Sequence, residues 1–454
     1  MTSVMWFRRD LRLGDNPALL EAVSDGPALP LFVLDPALWG PAGPSRRAYL
    51  AASLSALDGQ LRQRKTQLSV VRGDPVRRVV LAAKEVGAER VHVAADHGPY
   101  GRRRDREVGR ALANAGIELV RTGSPYAVAP GRVENGSGDP YQVFTPWSKA
   151  WSDHGWRGPV DPPSGGSWIG LDEDTTGIPE PAVPRGLELP EAGEAAAQRR
   201  WAEFLGRVDA YGEDRDKPGV DGTSRMSVHL KWGEIHPRTM LAALASRSGA
   251  GAATYRKELA WREFYADVLF HQPRTAREYL RPEFARMGYD PPGQQLEAWQ
   301  DGRTGFPIVD AGMRQLRATG WMHNRVRMIA ASFLVKDLHV EWQHGARHFL
   351  RHLCDGDLAS NNHGWQWVAG TGTDAAPFYR VFNPVTQGKK FDPDGDYVRR
   401  WAPGESPSPI VDHATARRDA LAAFSRLRSD AVAASNRIPQ PPRRPRQSRP
   451  RTPR

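Results

Sequence analysis

The feature that most constrains the fold is an alternation of short apolar runs and helical patterns over the first third of the chain. Five apolar runs are typical of buried strands: SVMWF, LPLFVLD, LSVV, ERVHVAA and IELV. Between them lie four amphipathic helical patterns: NPALLEAV, SRRAYLAASLSALDGQLRQR, PVRRVVLAAKEVG and GRRRDREVGRALANAG. Such alternation indicates a doubly wound parallel sheet, which binds ligands beyond the carboxyl ends of its strands. We therefore predict an α/β domain over residues 1–130.

The segment after the first strand excludes one common use of this fold. A nicotinamide dinucleotide site carries G-x-G-x-x-G there, whereas this chain has WFRRDLR. An ordinary nicotinamide-dependent flavin dehydrogenase is therefore not expected.

The remainder of the chain divides by composition. Residues 131–197 are predicted to be a connector, because the stretch 157–190 is rich in proline, glycine and acids. Long helical patterns dominate residues 198–435, which predicts an all-α second domain. The Pro/Arg-rich tail, residues 436–454, is expected to be disordered. A chain of 454 residues is longer than one hydrophobic core usually organises, so we expect two domains.

Composition and charge limit the class of protein. One cysteine, Cys354, excludes a disulfide framework. The formal charge is +11, but seven of the arginines lie in the acid-free tail, so the rest carries a mild basic bias that permits a polyanionic partner. Arg8, Arg9 and Asp10 interrupt the N-terminal apolar run, and no apolar run approaches a membrane span. We expect a soluble cytoplasmic monomer with no membrane association and no obligate protein partner.

Two clusters in the helical region could bind a ligand. VDGTSRMSVHL, residues 220–230, places hydroxyls before a helical pattern, where free backbone N–H groups suit a phosphate. Simple N-capping explains that segment at least as well. Glu258 and Trp261 lie three residues apart on one helix face and could bind a flat, hydrogen-bonding ring. A core tryptophan beside an exposed glutamate is the alternative.

Two further clusters follow. Asn324, Arg327 and Met328 share a helix face, which suits a ligand, although a surface arginine and a core methionine would give the same pattern. The segment CDGDLASNNHGWQW, residues 354–367, suggests a metal site by its acids and histidine. Its two tryptophans cannot ligate metal, so a metal site ranks low.

These clusters, taken in order, resemble the photolyase/cryptochrome family, in particular the microbial (class I) photolyases that repair cyclobutane pyrimidine dimers. The matching segments, between residue 4 and about residue 430, are WFRRDLRLGDNPAL, YGEDRD, DGTSRMS, ELAWREFY, GWMHNRVRM, DGDLASNNHGWQW and TGTDAAPFYRVFNP. The resemblance implies an antenna domain, a connector and a helical FAD-binding catalytic domain. It also implies a carbon–carbon lyase that acts in blue light on UV-damaged DNA.

The resemblance assigns residues to the cofactor. Asp355, Gly356 and Asp357 match positions at the flavin edge and ribose, Arg327 is the expected ion-pair partner of Asp355, and Asn361 matches the residue beside flavin N5. Tyr255 stands where the family often has tryptophan. The other predicted FAD-binding residues are Tyr211, Thr223, Ser224, Arg225, Met226, Ser227 and Arg262.

The resemblance also assigns residues to the DNA and to electron transfer. The pocket for the flipped-out dimer is predicted to contain Glu258, Trp261, Asn324, Arg325, Met328 and Trp367. The predicted catalytic residues are Glu258, Asn324, Met328 and Asn361. The predicted contacts to the DNA backbone are Arg215, Arg380, Gln387 and Lys390. The predicted electron-transfer chain to the flavin is Trp365, then Trp342, then Tyr289 as a solvent-facing terminal donor in place of the usual tryptophan.

An antenna chromophore and two rival functions remain open. The segment DHGPYGRRRD lacks the Asn-Glu pair of folate-binding members, which favours an 8-hydroxy-deazaflavin over methenyltetrahydrofolate, or an empty site, with Arg46, Asp96 and Arg104 nearby. A cryptochrome-like photoreceptor without repair activity is disfavoured by the neutral Asn361. Repair of (6-4) photoproducts is disfavoured because Asn324 occupies a position where that chemistry uses histidine.

Overall fold

The computed structural model describes residues 1–171, 175–373 and 379–436, the last seven by their backbone only. Its single described sheet has five parallel strands in the order β3-β2-β1-β4-β5. The strands are β1 (Ser3–Phe7), β2 (Ala28–Leu34), β3 (Ser69–Arg72), β4 (Arg90–Val93) and β5 (Glu118–Arg121). The helices among them are α1 (Pro17–Asp25), α2 (Pro36–Trp39), α3 (Pro44–Gln63), α4 (Pro75–Glu85) and α5 (Pro99–Ala113). The predicted doubly wound α/β domain is confirmed.

The residues of β1 show why this strand lies in the centre of the sheet. All five are buried, and Val4 pairs with Leu29 on one side and Val91 on the other. Met5 and Phe7 pack into one core, whereas Val4 and Trp6 pack into a second core on the opposite face. A strand covered on both faces reads as a continuous apolar run, as SVMWF does.

Helix starts in this domain follow from local sequence. Each of α1, α2 and α4 begins with proline, whose fixed φ suits the first helical position. The preceding residues, Asn16, Asp35 and Asp74, cap these helices by accepting backbone N–H groups at 2.9–3.2 Å.

The second part of the chain is helical, as predicted. The α-helices are α6 (Phe144–His154), α7 (Glu194–Leu205), α8 (Tyr211–Asp214), α9 (Ser227–Trp232), α10 (Pro237–Ala245), α11 (Ala250–His271), α12 (Gln294–Asp301), α13 (Pro307–Thr319), α14 (Asn324–Ser332), α15 (Trp342–His352), α16 (Leu358–Ala369), α17 (Pro384–Phe391), α18 (Asp396–Trp401) and α19 (His413–Asn436). Short 3-10 turns at Val208–Ala210, Pro273–Ala276 and Pro282–Arg286, and a π-helix at Phe333–Asp337, complete it.

The predicted connector contains one helix that its composition does not reveal. On α6, Trp147 and Trp151 are buried, and their indole nitrogens donate to Asp267 at 3.1 Å and Glu263 at 2.7 Å. Both carboxylates lie on α11, so α6 packs against the helical domain. The remainder, from about residue 157 to 190, has no helix in its described positions.

Buried polar bonds join the two parts of the chain. Glu234, fully buried, accepts hydrogen bonds from Tyr49 at 2.9 Å and from Ser53, both on α3, and from the backbone N–H of Gly193 at 2.7 Å. Asp15 of the α/β domain pairs with Arg238 of α10 at 2.6 Å. The sheet domain is therefore held against the helical domain by specific bonds.

Candidate active site

Asp355, between α15 and α16, is a buried carboxylate of the helical domain. The Oδ2 atom of Asp355 accepts from the Ser227 hydroxyl at 2.6 Å and from the Arg327 guanidinium at 2.8 Å. The predicted Arg327–Asp355 ion pair is therefore present. The Oδ1 atom is buried and has no hydrogen-bond partner among the described residues. A buried acceptor without a donor costs free energy, so this atom fits a ligand that brings an N–H or O–H group.

Asp357 lies beside this carboxylate and links the site to the α/β domain. It caps α16 by accepting from the backbone N–H of Ser360 at 3.1 Å, and it pairs with Arg9 at 2.6 Å. Burial alone would raise the pKa of Asp357, but Arg9 and then Lys231 hold it below its ordinary value. Asp357 is therefore an anion. The site role of Arg9 was not predicted, although the WFRRDLR segment carried that signal.

The predicted phosphate segment leads into α9. Arg225 has a left-handed backbone, with φ of 53°, and α9 begins at Ser227 without any side-chain cap on its first turn. The Ser224 hydroxyl accepts the backbone N–H of Met226, directly before α9, at 3.2 Å, so the capping alternative stays open for this segment. Ser224 contacts the hydroxyl of Tyr255 at 2.7 Å, and Tyr255 packs against Tyr211 with ring centroids 5.1 Å apart. Tyr255, at the position where the family often has tryptophan, therefore contacts this segment through the Ser224 hydroxyl.

Three other predicted cofactor residues have different surroundings. Thr223 is half-buried, and Met226 is buried in the core that contains Tyr211 and Tyr255. Arg262 donates to the carbonyl oxygens of Pro125 at 3.1 Å and Leu230 at 3.2 Å. These bonds tie Arg262 to protein backbone on two sides.

Helix α16 presents Asn361 and Trp365 one turn apart. The Asn361 amide donates to the carbonyl of Ala346 at 3.2 Å and to Asn362 at 2.8 Å, which fixes its orientation. Trp365 is buried against α15, with its ring 4.9 Å from that of Phe349. Trp342, at the start of α15, is fully buried. Gly356 lies in the turn between α15 and α16.

The predicted substrate residues lie on helices that pack together. Helix α16 packs against both α11 and α14, and α8 packs against α11. Glu258 of α11 pairs with Arg215 at 2.7 Å, immediately after α8. Burial raises the pKa of Glu258 and Arg215 opposes that change. Trp261 stacks in parallel on Phe144, with centroids 3.7 Å apart, so Phe144 fixes the plane of that indole.

The other substrate residues surround this group. The Asn324 amide lies 4.0 Å from the Met328 sulfur, and Arg325 pairs with Asp216 at 2.7 Å. The Arg380 guanidinium lies 5.5 Å from the ring of Trp367. Gln387 is half-buried and Lys390 exposed, both on α17. Residues 374–378 of the TGTDAAPFYRVFNP segment lie outside the described residues.

The predicted antenna residues are only partly brought together. Asp96 pairs with Arg104 at 3.2 Å, and Arg104 also pairs with Asp105 at 2.9 Å. Arg46 donates to the carbonyl of Leu350 in the helical domain at 2.7 Å. Lys231, which was not predicted, interacts electrostatically with both Arg46 and Asp96. Burial, followed by repulsion from Arg9, lowers the pKa of Lys231 to about 7. Nothing in the sequence around Lys231 distinguishes it from the other lysines and arginines of the chain.

The predicted electron route is buried for most of its length. Tyr289 is half-buried and its hydroxyl oxygen is enclosed, so the expectation that this hydroxyl faces solvent is corrected. Its ring stacks on that of Tyr279 at 6.3 Å.

Two further observations concern the described residues as a whole. Within the described part of the chain, no three His, Cys, Asp or Glu side chains cluster as metal ligands would. No helix in those residues is long and apolar enough to cross a membrane.

Comparison with known proteins identifies the family. Residues 3–164 match the DNA photolyase family model and residues 255–406 match the FAD binding domain of DNA photolyase. The deoxyribodipyrimidine photo-lyase of Streptomyces griseus is 43% identical over 414 residues, 88% of this chain and 89% of that protein. The Escherichia coli enzyme of the same name is 38% identical over 475 residues, 94% of this chain and 99% of its own length.

Solved structures agree. A bacterial class III photolyase from Agrobacterium tumefaciens superposes with a TM-score of 0.88 and 36% identity, over 94% of this chain and 98% of that one. A Synechocystis cryptochrome gives 0.83 and 25%, over 92% and 98%. The particular resemblance to class I photolyases stays a prediction. The chain belongs to the DNA photolyase family.

Proposed function

We propose that this protein is a deoxyribodipyrimidine photo-lyase that repairs cyclobutane pyrimidine dimers in DNA with light. The observation that carries this proposal is the position of α16. That helix carries Asn361 and Trp365, which the resemblance assigns to the flavin, and it packs against α11 and α14, which carry Glu258 and Asn324. Residues assigned to the cofactor and residues assigned to the lesion are thus held by one rigid group of helices.

The cofactor pocket fits FAD. The unpaired Oδ1 of Asp355 offers an acceptor to a flavin or ribose donor, and the uncapped first turn of α9 offers N–H groups. The amide of Asn361, fixed by Ala346 and Asn362, is neutral and cannot deliver a proton as a carboxylic acid would. When bound in its reduced form, FAD supplies the photoexcited electron that opens the cyclobutane ring.

The lesion is bound by stacking and hydrogen bonds. Trp261 and Trp367 offer aromatic faces to a flipped-out dimer, and Phe144 holds Trp261 in one plane. Glu258 bonds a pyrimidine through the carboxyl group that Arg215 orients at 2.7 Å. Asn324 offers its amide to the same polar edges, and Met328 lies beside it. These groups orient the acceptor while the electron arrives and returns.

The DNA backbone is held by charge. The resemblance assigns contacts with the DNA backbone to Arg215, Arg380, Gln387 and Lys390. Arg325, assigned to the lesion pocket, pairs with Asp216 at 2.7 Å. Such contacts bind phosphate without reading sequence and weaken with salt.

Two observations favour cyclobutane dimers over (6-4) photoproducts. His323 accepts the Arg325 N–H at 3.2 Å as the cap of α14, and burial lowers its pKa to about 4. His363 is buried against Thr275, and burial lowers its pKa to about 4 as well. Burial favours the neutral ring at both positions, and Asn324 stands where the (6-4) chemistry would use a histidine.

An 8-hydroxy-deazaflavin is the antenna chromophore we propose, with folate as the alternative. Arg9, Arg46 and Asp96 all act electrostatically on the buried Lys231, and the two arginines would suit an anionic ring hydroxyl. Flavin-loaded protein would be mixed with each chromophore and passed through a desalting column. Retention of the folate alone would overturn the assignment.

The proposed function is tested by incubating reduced protein with an oligonucleotide that holds one thymine cyclobutane dimer. Restored thymines should appear under blue light and not in the dark. Absence of repair with FAD bound would contradict the proposal and favour a photoreceptor. Repair confined to a parallel (6-4) substrate would favour that activity instead.

A further inference from the structure

A line of aromatic rings continues beyond the predicted electron route. Trp342 meets Tyr279 edge to face, with centroids 6.1 Å apart, and Tyr279 stacks on Tyr289 at 6.3 Å and 9°. Tyr279 is only 4% exposed. Among the described residues, Tyr279 is the aromatic side chain whose ring contacts both Trp342 and Tyr289.

The two tryptophans of the route lack a proton acceptor. The indole nitrogens of Trp365 and Trp342 are buried, and neither has a hydrogen-bond partner among the described residues. Indole N–H is a donor only, so without an acceptor an oxidised tryptophan keeps its proton. Its radical cation therefore stays a strong oxidant that can draw an electron from the next ring.

Tyr279 differs because a base is bound to it. Its hydroxyl donates to Oε1 of Glu341 at 3.1 Å, and Glu341 is the half-buried residue directly before α15. The hydroxyl of Tyr289 is enclosed, and no carboxylate in the described chain accepts a hydrogen bond from it. A phenol gives up an electron readily only if its proton leaves too. Tyr279, which is bonded to a carboxylate, is therefore better suited than Tyr289 to donate an electron.

We propose that Tyr279 is the proton-coupled electron donor to Trp342, with Glu341 as its proton acceptor. The proposal rests on the proposed photoreduction route. In light, Trp365 loses one electron to photoexcited oxidised flavin and recovers it from Trp342. Tyr279 then gives one electron to the Trp342 radical cation and its phenolic proton to the Glu341 carboxylate. The products are neutral Trp342, a neutral Tyr279 radical and a carboxylic acid, and an external thiol later returns a hydrogen atom to the tyrosine.

The test follows the identity of the protein radical rather than repair. Protein with oxidised FAD and ring-deuterated tyrosine would be illuminated without thiol and examined by electron paramagnetic resonance and transient absorption. Four variants are compared with the parent: Tyr279→Phe, Glu341→Gln, Tyr289→Phe and Tyr379→Phe. Tyr379 is the matched control, since it is a buried tyrosine of the same core without ring contact to Trp342.

We expect a tyrosyl radical in the parent, Tyr289→Phe and Tyr379→Phe proteins, and a tryptophan radical in Tyr279→Phe. Glu341→Gln keeps the shape of the acceptor but removes its basicity, so tyrosyl formation should slow about a hundredfold, the lower range for loss of a general base. The parent rate should also fall in D₂O, and that isotope effect should vanish in Tyr279→Phe.

A tyrosyl radical that persists in Tyr279→Phe and disappears in Tyr289→Phe would overturn the proposal, as would a parent protein that forms no tyrosyl radical. Neither result bears on repair, because chemically reduced protein needs no photoreduction. Failure of the proposed function appears instead as absence of repair by that reduced protein.

Discussion

At the residue scale, Glu258, which we propose to bind a pyrimidine, forms an ion pair with Arg215, which we propose to bind DNA phosphate. The pair is partly exposed, with 29% of the glutamate side chain accessible, so its own contribution to stability is small. Its importance lies in orientation, because Arg215 holds the carboxyl group on the side of α11 that also carries Trp261.

Removing this carboxyl group should affect repair and leave the cofactor bound. We expect Glu258→Ala to lower the repair yield by about tenfold, the factor that corresponds to one lost hydrogen bond of ~1.4 kcal/mol. Yield per absorbed photon and flavin content would be measured together. Glu297→Ala, at an exposed position of α12, is the control. An unchanged yield in Glu258→Ala would refute the role.

At the element scale, α15 and α16 approach closely because residue 345 has no side chain. A Cβ atom at Gly345 would lie 2.1 Å from the six-membered ring of Trp365. The glycine therefore sets the depth of Trp365 in the core and its distance from Trp342, one turn earlier on α15.

Alanine at this position should be harmful despite its better helix propensity. Overpacking costs about 1–3 kcal/mol, whereas replacing a mid-helix glycine gains about 0.5–1 kcal/mol. We expect Gly345→Ala to lower the free energy of unfolding and to slow flavin photoreduction by displacing Trp365. Denaturant unfolding and photoreduction rate would be measured.

Gly59→Ala on α3 provides the matched control, since a Cβ there meets nothing within 4 Å. It should stabilise the protein slightly and leave photoreduction unchanged. Equal stabilisation by both substitutions would contradict the close approach of α15 and α16.

Sequence patterns predicted the elements where one physical signal dominates. The strands were recognised because both sheet faces are buried, and helices α11, α14 and α16 because apolar and functional residues recur at helical spacing. Helix α6 was missed, since its tryptophans are fixed by Asp267 and Glu263, more than 100 positions away. The role of Arg9 was missed because its partner, Asp357, lies 348 positions away in the helical domain.

At the scale of the whole molecule, the α/β and helical domains share buried polar bonds around Glu234. Removing that carboxylate would leave Ser53 and the backbone of Gly193 without their acceptor, and Tyr49 with only its longer contacts of 3.3 Å to Glu191 and His229. Buried groups that lose a partner cost about 1–3 kcal/mol each.

Glu234→Ala should therefore lower the free energy of unfolding by about 3 kcal/mol or more. It should also separate unfolding of the two domains into distinct transitions. Denaturant unfolding would be followed by tryptophan fluorescence and by far-UV circular dichroism. Glu203→Ala, exposed on α7, should change neither. One unshifted transition in Glu234→Ala would show that this network does not hold the domains together.

DNA binding is a property of the whole surface around the lesion pocket. Lys390→Ala should weaken binding to any duplex, damaged or not, and reduce the slope of log affinity against log salt by about one. Titrations at several salt concentrations would measure this slope. Lys84→Ala, exposed on α4 of the α/β domain, is the control. An unchanged slope in Lys390→Ala would exclude Lys390 from the DNA interface.

The central claim is that light drives an electron to the dimer and back without net oxidation of the cofactor. The most direct measurement counts restored thymines against photons absorbed by reduced protein, in the absence of oxygen and of any added reductant, with excess dimer. We predict many dimers repaired per flavin, in proportion to absorbed light, with the reduced flavin spectrum unchanged at the end. Repair that stops after one dimer per flavin, or that oxidises the flavin as it proceeds, would contradict this mechanism.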